Sequence, residues 1–394
     1  MVKCVNNQVY VSLILASIGV LCPLQAMEKD TPSSVEQIVG TQAFNCCYHL
    51  EDGVDVRVEQ AWRILKMGST IIKTFVQEVE EVKGIHTFKP DIDKEGHILP
   101  NSAINEILTM NWKGRSFHTF FFWWRSDSAI WKAGLSTANK EKESKMTYNF
   151  ATNLLERNHE LKHKYFIGNW EGDSCLLFDA DKHLEPEKRR FDESKVPGMI
   201  AWLQTRQHAV KKARKDMKGQ TQSEVYHYVE VNLVKDALYD KKPRLVTEVL
   251  KPSGVDYVSY SSYDVQLKPL KIIEEVLNFI EKYMPENVDI NGSRVFIGEF
   301  SYPARPKGMQ LDAVRHEKMN RDILINFLQC RVLYILYWQM YNNELENKEQ
   351  RGFWLIDDLG REQPLYRTFR DLFEAQKSFT DLRTETIQWL NERL

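Results

Sequence analysis

Lys164-Tyr165-Phe166-Ile167-Gly168-Asn169-Trp170-Glu171 and Arg294-Val295-Phe296-Ile297-Gly298-Glu299 share one design. In each, an apolar run of strand length reaches a glycine and then a glutamate. Outward from these two stretches, strand-like and helix-like segments alternate along nearly the whole chain. Strand character falls on 44–49, 69–76, 118–124, 165–170, 225–233, 255–260, 294–299 and 332–338. Helical spacing runs through Val58, Ala61, Trp62 and Leu65 up to Gly68, then through 102–111 and 145–158. A long helix opened by Pro197 carries Ile200, Leu203, Val210, Ala213 and Met217 on one face. Further helices are predicted over 243–250, from Leu270 to Ile280, over 312–328 and over 364–373. Parallel strands need crossover helices, so regular alternation implies a parallel sheet. Eight such units fit an α/β chain closed into a (β/α)8 TIM barrel, a single domain over 27–394.

The chain has 394 residues, 43% hydrophobic and 27% charged, enough apolar material for a sizeable core. Its formal net charge of -2 lacks the basic excess of a nucleic-acid or membrane-surface binder. Lys211, Lys212, Arg214, Lys215 and Lys218 cluster on the long helix, where they read as a solvated face. Lys3, the apolar stretch 9–20 and Cys22-Pro23-Leu24-Gln25-Ala26 form the pattern of a signal peptide over 1–26. That stretch is short for a bilayer span, so the mature chain is expected to be secreted or periplasmic and free of the membrane. A lipoprotein anchor at Cys22 would want a small residue where Leu21 stands. Cleavage would leave Cys46, Cys47, Cys175 and Cys330; a disulfide to Cys175 stays open, and no C-x-x-C pair is present to hold zinc. Neither a dinucleotide glycine motif nor a P-loop occurs, so no metal and no cofactor are expected.

In a (β/α)8 barrel, chemistry sits where strands end and loops begin. Glu171 and Glu299 fall at two such ends, the fourth and the seventh. Here the sequence resembles the clan A retaining glycoside hydrolases. Gly168-Asn169-Trp170-Glu171 is similar to that clan's motif after strand four, and Ile297-Gly298-Glu299-Phe300 to its motif after strand seven. The order of elements carries the resemblance over essentially the mature chain, without singling out one family. It implies a carbohydrate substrate, Glu171 as acid/base and Glu299 as nucleophile. It also implies that Trp338, ending strand eight, floors the sugar site. A tyrosine after strand six would hold the nucleophile, with Tyr263 preferred to Tyr260. Lys73 and Arg125 are candidates for binding hydroxyls, and Asn232 for lining the cleft. Trp123 and Trp124 are neighbours on a strand, so their rings point opposite ways; we assign Trp124 to the cleft. One departure stands out. The clan usually has asparagine directly before the acid/base, bonding the sugar 2-hydroxyl, whereas Trp170 separates Asn169 from Glu171.

Two carboxyls suit this chemistry because acetal cleavage needs both an acid for the leaving oxygen and a carboxylate at the anomeric carbon. Burial beside Trp170 and the charge of Glu299 should raise the pKa of Glu171, while a tyrosine hydroxyl keeps Glu299 ionised. A retaining pair is expected about 5–5.5 Å apart, an inverting pair about 6.5–9.5 Å. Ten tryptophans suit the apolar faces of sugars but equally suit a core, so the count does not choose. Glu230 reads as an alternative acid or a salt-bridge partner, and Asp173 as a tuner of Glu171 or a loop cap. Asn291-Gly292-Ser293 matches the N-glycosylation acceptor. The competing reading is a non-catalytic carbohydrate-binding barrel that has lost turnover. A barrel acting on phosphorylated or metal-bound substrates finds no supporting His or Asp cluster.

Overall fold

The computed structural model describes residues 34–124, 129–157, 162–181, 183–184 and 188–393. Eight parallel strands close into a barrel in chain order: β1 (Val39–Ala43), β2 (Ile71–Val76), β3 (Thr119–Trp124), β4 (Lys164–Gly168), β5 (Glu224–Val231), β6 (Tyr257–Ser261), β7 (Val295–Phe300) and β8 (Ile335–Tyr337). Thr41 lies opposite both Ile72 and Tyr337, which joins the ring at β1. Every residue of β2, β3 and β7 is buried, as expected when side chains fill the inside and helices cover the outside.

The helices are α1 (Val56–Met67), α2 (Ala103–Thr109), α3 (Thr137–Glu156), α4 (Val196–Asp216), α5 (Leu270–Tyr283), α6 (Ala313–Gln329), α7 (Pro364–Ala375) and α8 (Leu382–Asn391). Asp55 caps α1 by accepting from the Arg57 amide, and Gly68 ends it at φ 118°, a conformation that favours glycine. Between β5 and β6 the crossover is broken into short turns, Val234–Tyr239, Leu245–Glu248 and Leu250–Ser253. Pro243 and Pro252 each remove an amide that a continuous helix would need.

Two differences from the sequence expectation have physical causes, and a third is an added helix. The first strand is Val39–Ala43, and 44–49 is the loop that follows it. Its sequence, Val-Gly-Thr-Gln-Ala, lacks an apolar run because its side-chain donors find carbonyl acceptors inside the barrel. Thr41 Oγ1 donates to the Tyr337 carbonyl (3.0 Å) and Gln42 Nε2 to the Gly298 carbonyl (2.9 Å). α3 begins at Thr137 because Ser136 caps it, although its first turns are polar and largely exposed. A further helix, α8, follows α7.

Inside the barrel, Phe121, Phe166, Tyr228, Phe296 and Tyr334 make an aromatic layer; the Phe121 ring lies 4.5 Å from Phe166 and 4.8 Å from Phe296. Each such buried ring contributes about 1.5–3 kcal/mol relative to exposure. Polar residues begin directly above this layer. Among the described residues the four cysteines are free thiols, no three His, Cys, Asp or Glu side chains are arranged to hold a metal, and no helix is long and apolar enough to cross a membrane.

Candidate active site

Strand alternation places Phe296 inside the barrel, so Glu299, three residues on, would point outward. A bulge reverses this. Tyr260 of β6 pairs with Ile297, but the next residue, Ser261, pairs with Glu299; on the other side Ile297 pairs with Ile335 and Phe300 with Tyr337. β7 thus carries one extra residue against both neighbours, and the Glu299 carboxyl turns into the barrel mouth. Gly298 makes the approach possible. A Cβ there would lie 1.7 Å from Ser259 Oγ and 3.2 Å from Glu230 Oε2.

Lys73 rises beneath Glu299 from β2, fully buried. Its ammonium donates to Glu230 Oε2 (2.7 Å), the Gly298 carbonyl (3.2 Å) and Glu299 Oε1 (3.3 Å). An ammonium has three donors, and all three are occupied. Lys73 is therefore not a binder of substrate hydroxyls, contrary to the sequence expectation; it grips carboxylates.

Tyr263 donates its hydroxyl to Glu299 Oε2 (3.2 Å), whereas the Tyr260 hydroxyl donates to Asp264, so the preferred tyrosine is the one at Glu299. Burial, and then the Glu299 charge, holds the Tyr263 hydroxyl well above its ordinary pKa, which keeps it a donor. Burial pushes the Glu299 carboxyl up; Lys73 opposes this, while Glu230 and Glu171 add to it.

Glu171 follows β4 with φ 27° and ψ 68°, and a short helix, Gly172–Cys175, begins directly after it. The residue as a whole is half-buried, and its carboxyl accepts from Ser174 Oγ (3.1 Å). Burial, and then the Glu230 charge, pushes this carboxyl up to about 7. Asp173 accepts from the amides of Leu245 (2.8 Å) and Asn232 (3.0 Å), so its role is to tie the β4 loop to the loop after β5.

The ring turned to the cleft is Trp123. It lies 5.8 Å from Trp338, 5.9 Å from Trp170 and 4.5 Å from the Lys73 ammonium. Trp124 instead packs on Phe150 of α3 at 4.8 Å and donates its indole N–H to Glu78 (2.6 Å), so the assignment of Trp124 to the cleft is corrected. The cause is parity: Phe121 points inward, and Trp123 lies two residues on. Trp338 belongs to the same aromatic wall, 5.4 Å from Phe44, and the Trp338–Gln339 peptide is cis. Trp170 is 50% exposed at the rim. Asn169 is buried beside it; its amide donates to the Trp170 carbonyl (3.3 Å), and its Oδ1 has no partner among the described residues. Asn232 follows β5, with its Oδ1 likewise buried and unpaired among the described residues. Arg125 lies outside the described residues, as does the stretch 1–26.

Trp123 is the cleft residue that sequence reasoning missed, whereas Glu230 meets the second of its two expected roles, a salt-bridge partner, at 2.7 Å from Lys73. A lone Lys73 in Ile-Ile-Lys-Thr-Phe-Val and a lone Glu230 in Tyr-Val-Glu-Val are opposite charges in buried strands, and buried charges need partners.

No protein-family model matches the sequence, and no curated protein matches it. Solved structures do share its fold. A GH5_18 protein from Bifidobacterium longum subsp. infantis aligns with a TM-score of 0.55 at 11% identity over 87% of this chain and 80% of its own. A variant GH5_18 protein from Streptomyces cattleya in complex with Manb1-4GlcNAc aligns at 0.56 and 11%, over 88% and 82%. A Bacteroidetes-affiliated GH5 cellulase linked with a polysaccharide utilization locus aligns at 0.51 and 14%, over 91% and 95%. The chain therefore shares its (β/α)8 barrel fold with these solved GH5 structures.

Proposed function

We propose that the protein is a retaining glycoside hydrolase acting on O-glycosidic bonds, with Glu171 as acid/base and Glu299 as nucleophile. The observation that carries this is the unequal setting of two carboxyls at one barrel mouth. Glu299, although burial pushes it up, has an ammonium and a phenol donating to it, and these two contacts favour its ionised form against that push. Glu171 has no cation in contact among the described residues and holds its proton up to about 7. One is set to give a proton and the other to attack, within range of each other's charge.

In the first step the Glu171 carboxylic acid protonates the glycosidic oxygen as the Glu299 carboxylate attacks the anomeric carbon. The bond to the leaving alcohol breaks and a glycosyl ester forms. In the second, the Glu171 carboxylate takes a proton from water, the resulting hydroxide attacks the same carbon, and Glu299 is released. Trp123 and Trp338 offer apolar walls to the sugar ring.

Aryl glycosides test this, beginning with β-mannosides because one fold neighbour was solved with Manb1-4GlcNAc. Glu171→Gln should cut kcat by about 10²–10⁴ on substrates with poor leaving groups, the usual contribution of a positioned acid. Wild-type kcat should fall about tenfold per pH unit above about 7, because Glu171 is needed protonated. Azide should restore turnover to Glu299→Ala and yield a glycosyl azide. Trp170, standing between Asn169 and Glu171, favours one second reading, a carbohydrate-binding barrel; tight glycan binding with no turnover of any glycoside would select it.

A further inference from the structure

We propose that Glu230 is a positioning residue that joins the two candidate catalytic carboxyls into one unit, holding Glu171 through its backbone amide and Glu299 through Lys73. This rests on the roles given above to Glu171 and Glu299.

Glu230 has no exposed surface, so it meets no substrate. Its two oxygens are divided between the two sides of the site. Oε1 accepts from the Glu171 amide (3.1 Å); Oε2 accepts from Lys73 (2.7 Å) and from Ser259 Oγ (2.7 Å). Lys73 continues the chain to Glu299 Oε1 at 3.3 Å. Glu171, at φ 27°, occupies backbone space that a non-glycine residue keeps only where its surroundings over-determine it. The Glu230 bond supplies one such constraint. Gly172 supplies room for another, since a Cβ there would sit 3.0 Å from the Glu230 carbonyl oxygen. Gly298 and Ser259 complete the socket on the far side.

The same bond carries charge. The ionisable groups around Glu230 and the two carboxyls it joins are Lys73 on β2, Glu171 and Asp173 after β4, Tyr228 on β5, Tyr263 after β6 and Glu299 on β7. Lys73 is the cation of this set, and Glu230 adds to the negative charge that favours a proton on Glu171.

Two variants separate charge from reach. Glu230→Gln keeps the length and the acceptor for the Glu171 amide but removes the charge; Glu230→Asp keeps the charge but is one methylene short. The Glu171 carboxyl is followed by infrared titration, as the difference between each protein and the same protein carrying Glu171→Gln. Amide exchange at Glu171 is read by mass spectrometry. Glu230→Gln should move the Glu171 titration down by at least about half a pH unit. Glu230→Asp should leave that titration in place and speed Glu171 amide exchange about tenfold, the signature of a released local hydrogen bond. An unmoved titration in the first variant together with unchanged exchange in the second would overturn the proposal. So would fast exchange of the Glu171 amide in the wild-type protein, a result available even if neither variant folds. These readouts need no substrate. A protein that hydrolyses no glycoside would therefore refute the proposed function while still deciding the role of Glu230.

Discussion

Replacing Lys73 by methionine keeps most of the side-chain volume and removes the ammonium shared by Glu230 and Glu299. At an effective dielectric constant near 20, unit charges at the observed 2.7 and 3.3 Å attract by about 6 and about 5 kcal/mol. Desolvating the three ions takes back several kcal/mol each, so the net loss on deleting one partner should be about 3–5 kcal/mol at neutral pH. The sign of the pH dependence follows from what remains. Two buried carboxyls without a cation hold protons more tightly in the folded than in the unfolded chain. Stability is then retained at low pH and lost as pH rises through the raised folded value. If the variant binds one extra proton on folding, the gap to wild type should close by about 1.4 kcal/mol for each pH unit downward. Urea unfolding of both proteins at a series of pH values measures this. A penalty that stays flat with pH would refute the ion cluster as the cause.

Tyr263→Phe removes one hydrogen bond to a charged carboxylate, worth about 1.5–3 kcal/mol, so kcat on aryl glycosides should fall by about 10- to 100-fold. The acid limb of its pH profile should move up, because Glu299 loses a donor that favours ionisation. The neighbouring tryptophans should part company. Both rings are buried, so each change to alanine should cost about 3–5 kcal/mol of stability, but only Trp123→Ala should also raise KM, whereas Trp124→Ala should leave KM little changed.

Most of the barrel was legible because its strands are short apolar runs bounded by glycine and proline and separated by helical periodicity. β1 escaped for a reason specific to its surroundings. Thr41 and Gln42 find partners on β8 and β7 that no local window reveals. Both glutamates could be picked out by their place after a strand and a glycine, but their unequal surroundings could not, since the partners of Glu299 are separated from it by up to 226 residues. The tryptophan pair shows the limit of alternation as a guide. Period two says that one ring faces inward, and only the packing of Phe121 against Phe296 tells which. Trp170 remains visible as a departure in both sequence and structure, exposed at the rim beside a buried Asn169.

The extra residue in β7 has a consequence for how this gene product can vary. Because two-residue parity governs which way a strand residue faces, gaining or losing a single position between Val295 and Glu299 would swing the carboxylate out among the helices while the barrel itself could still close. Length changes in the surface connections would do no such thing. Homologous chains that have abandoned turnover should therefore be sought by counting residues in this one strand, even where the glutamate is still spelled out.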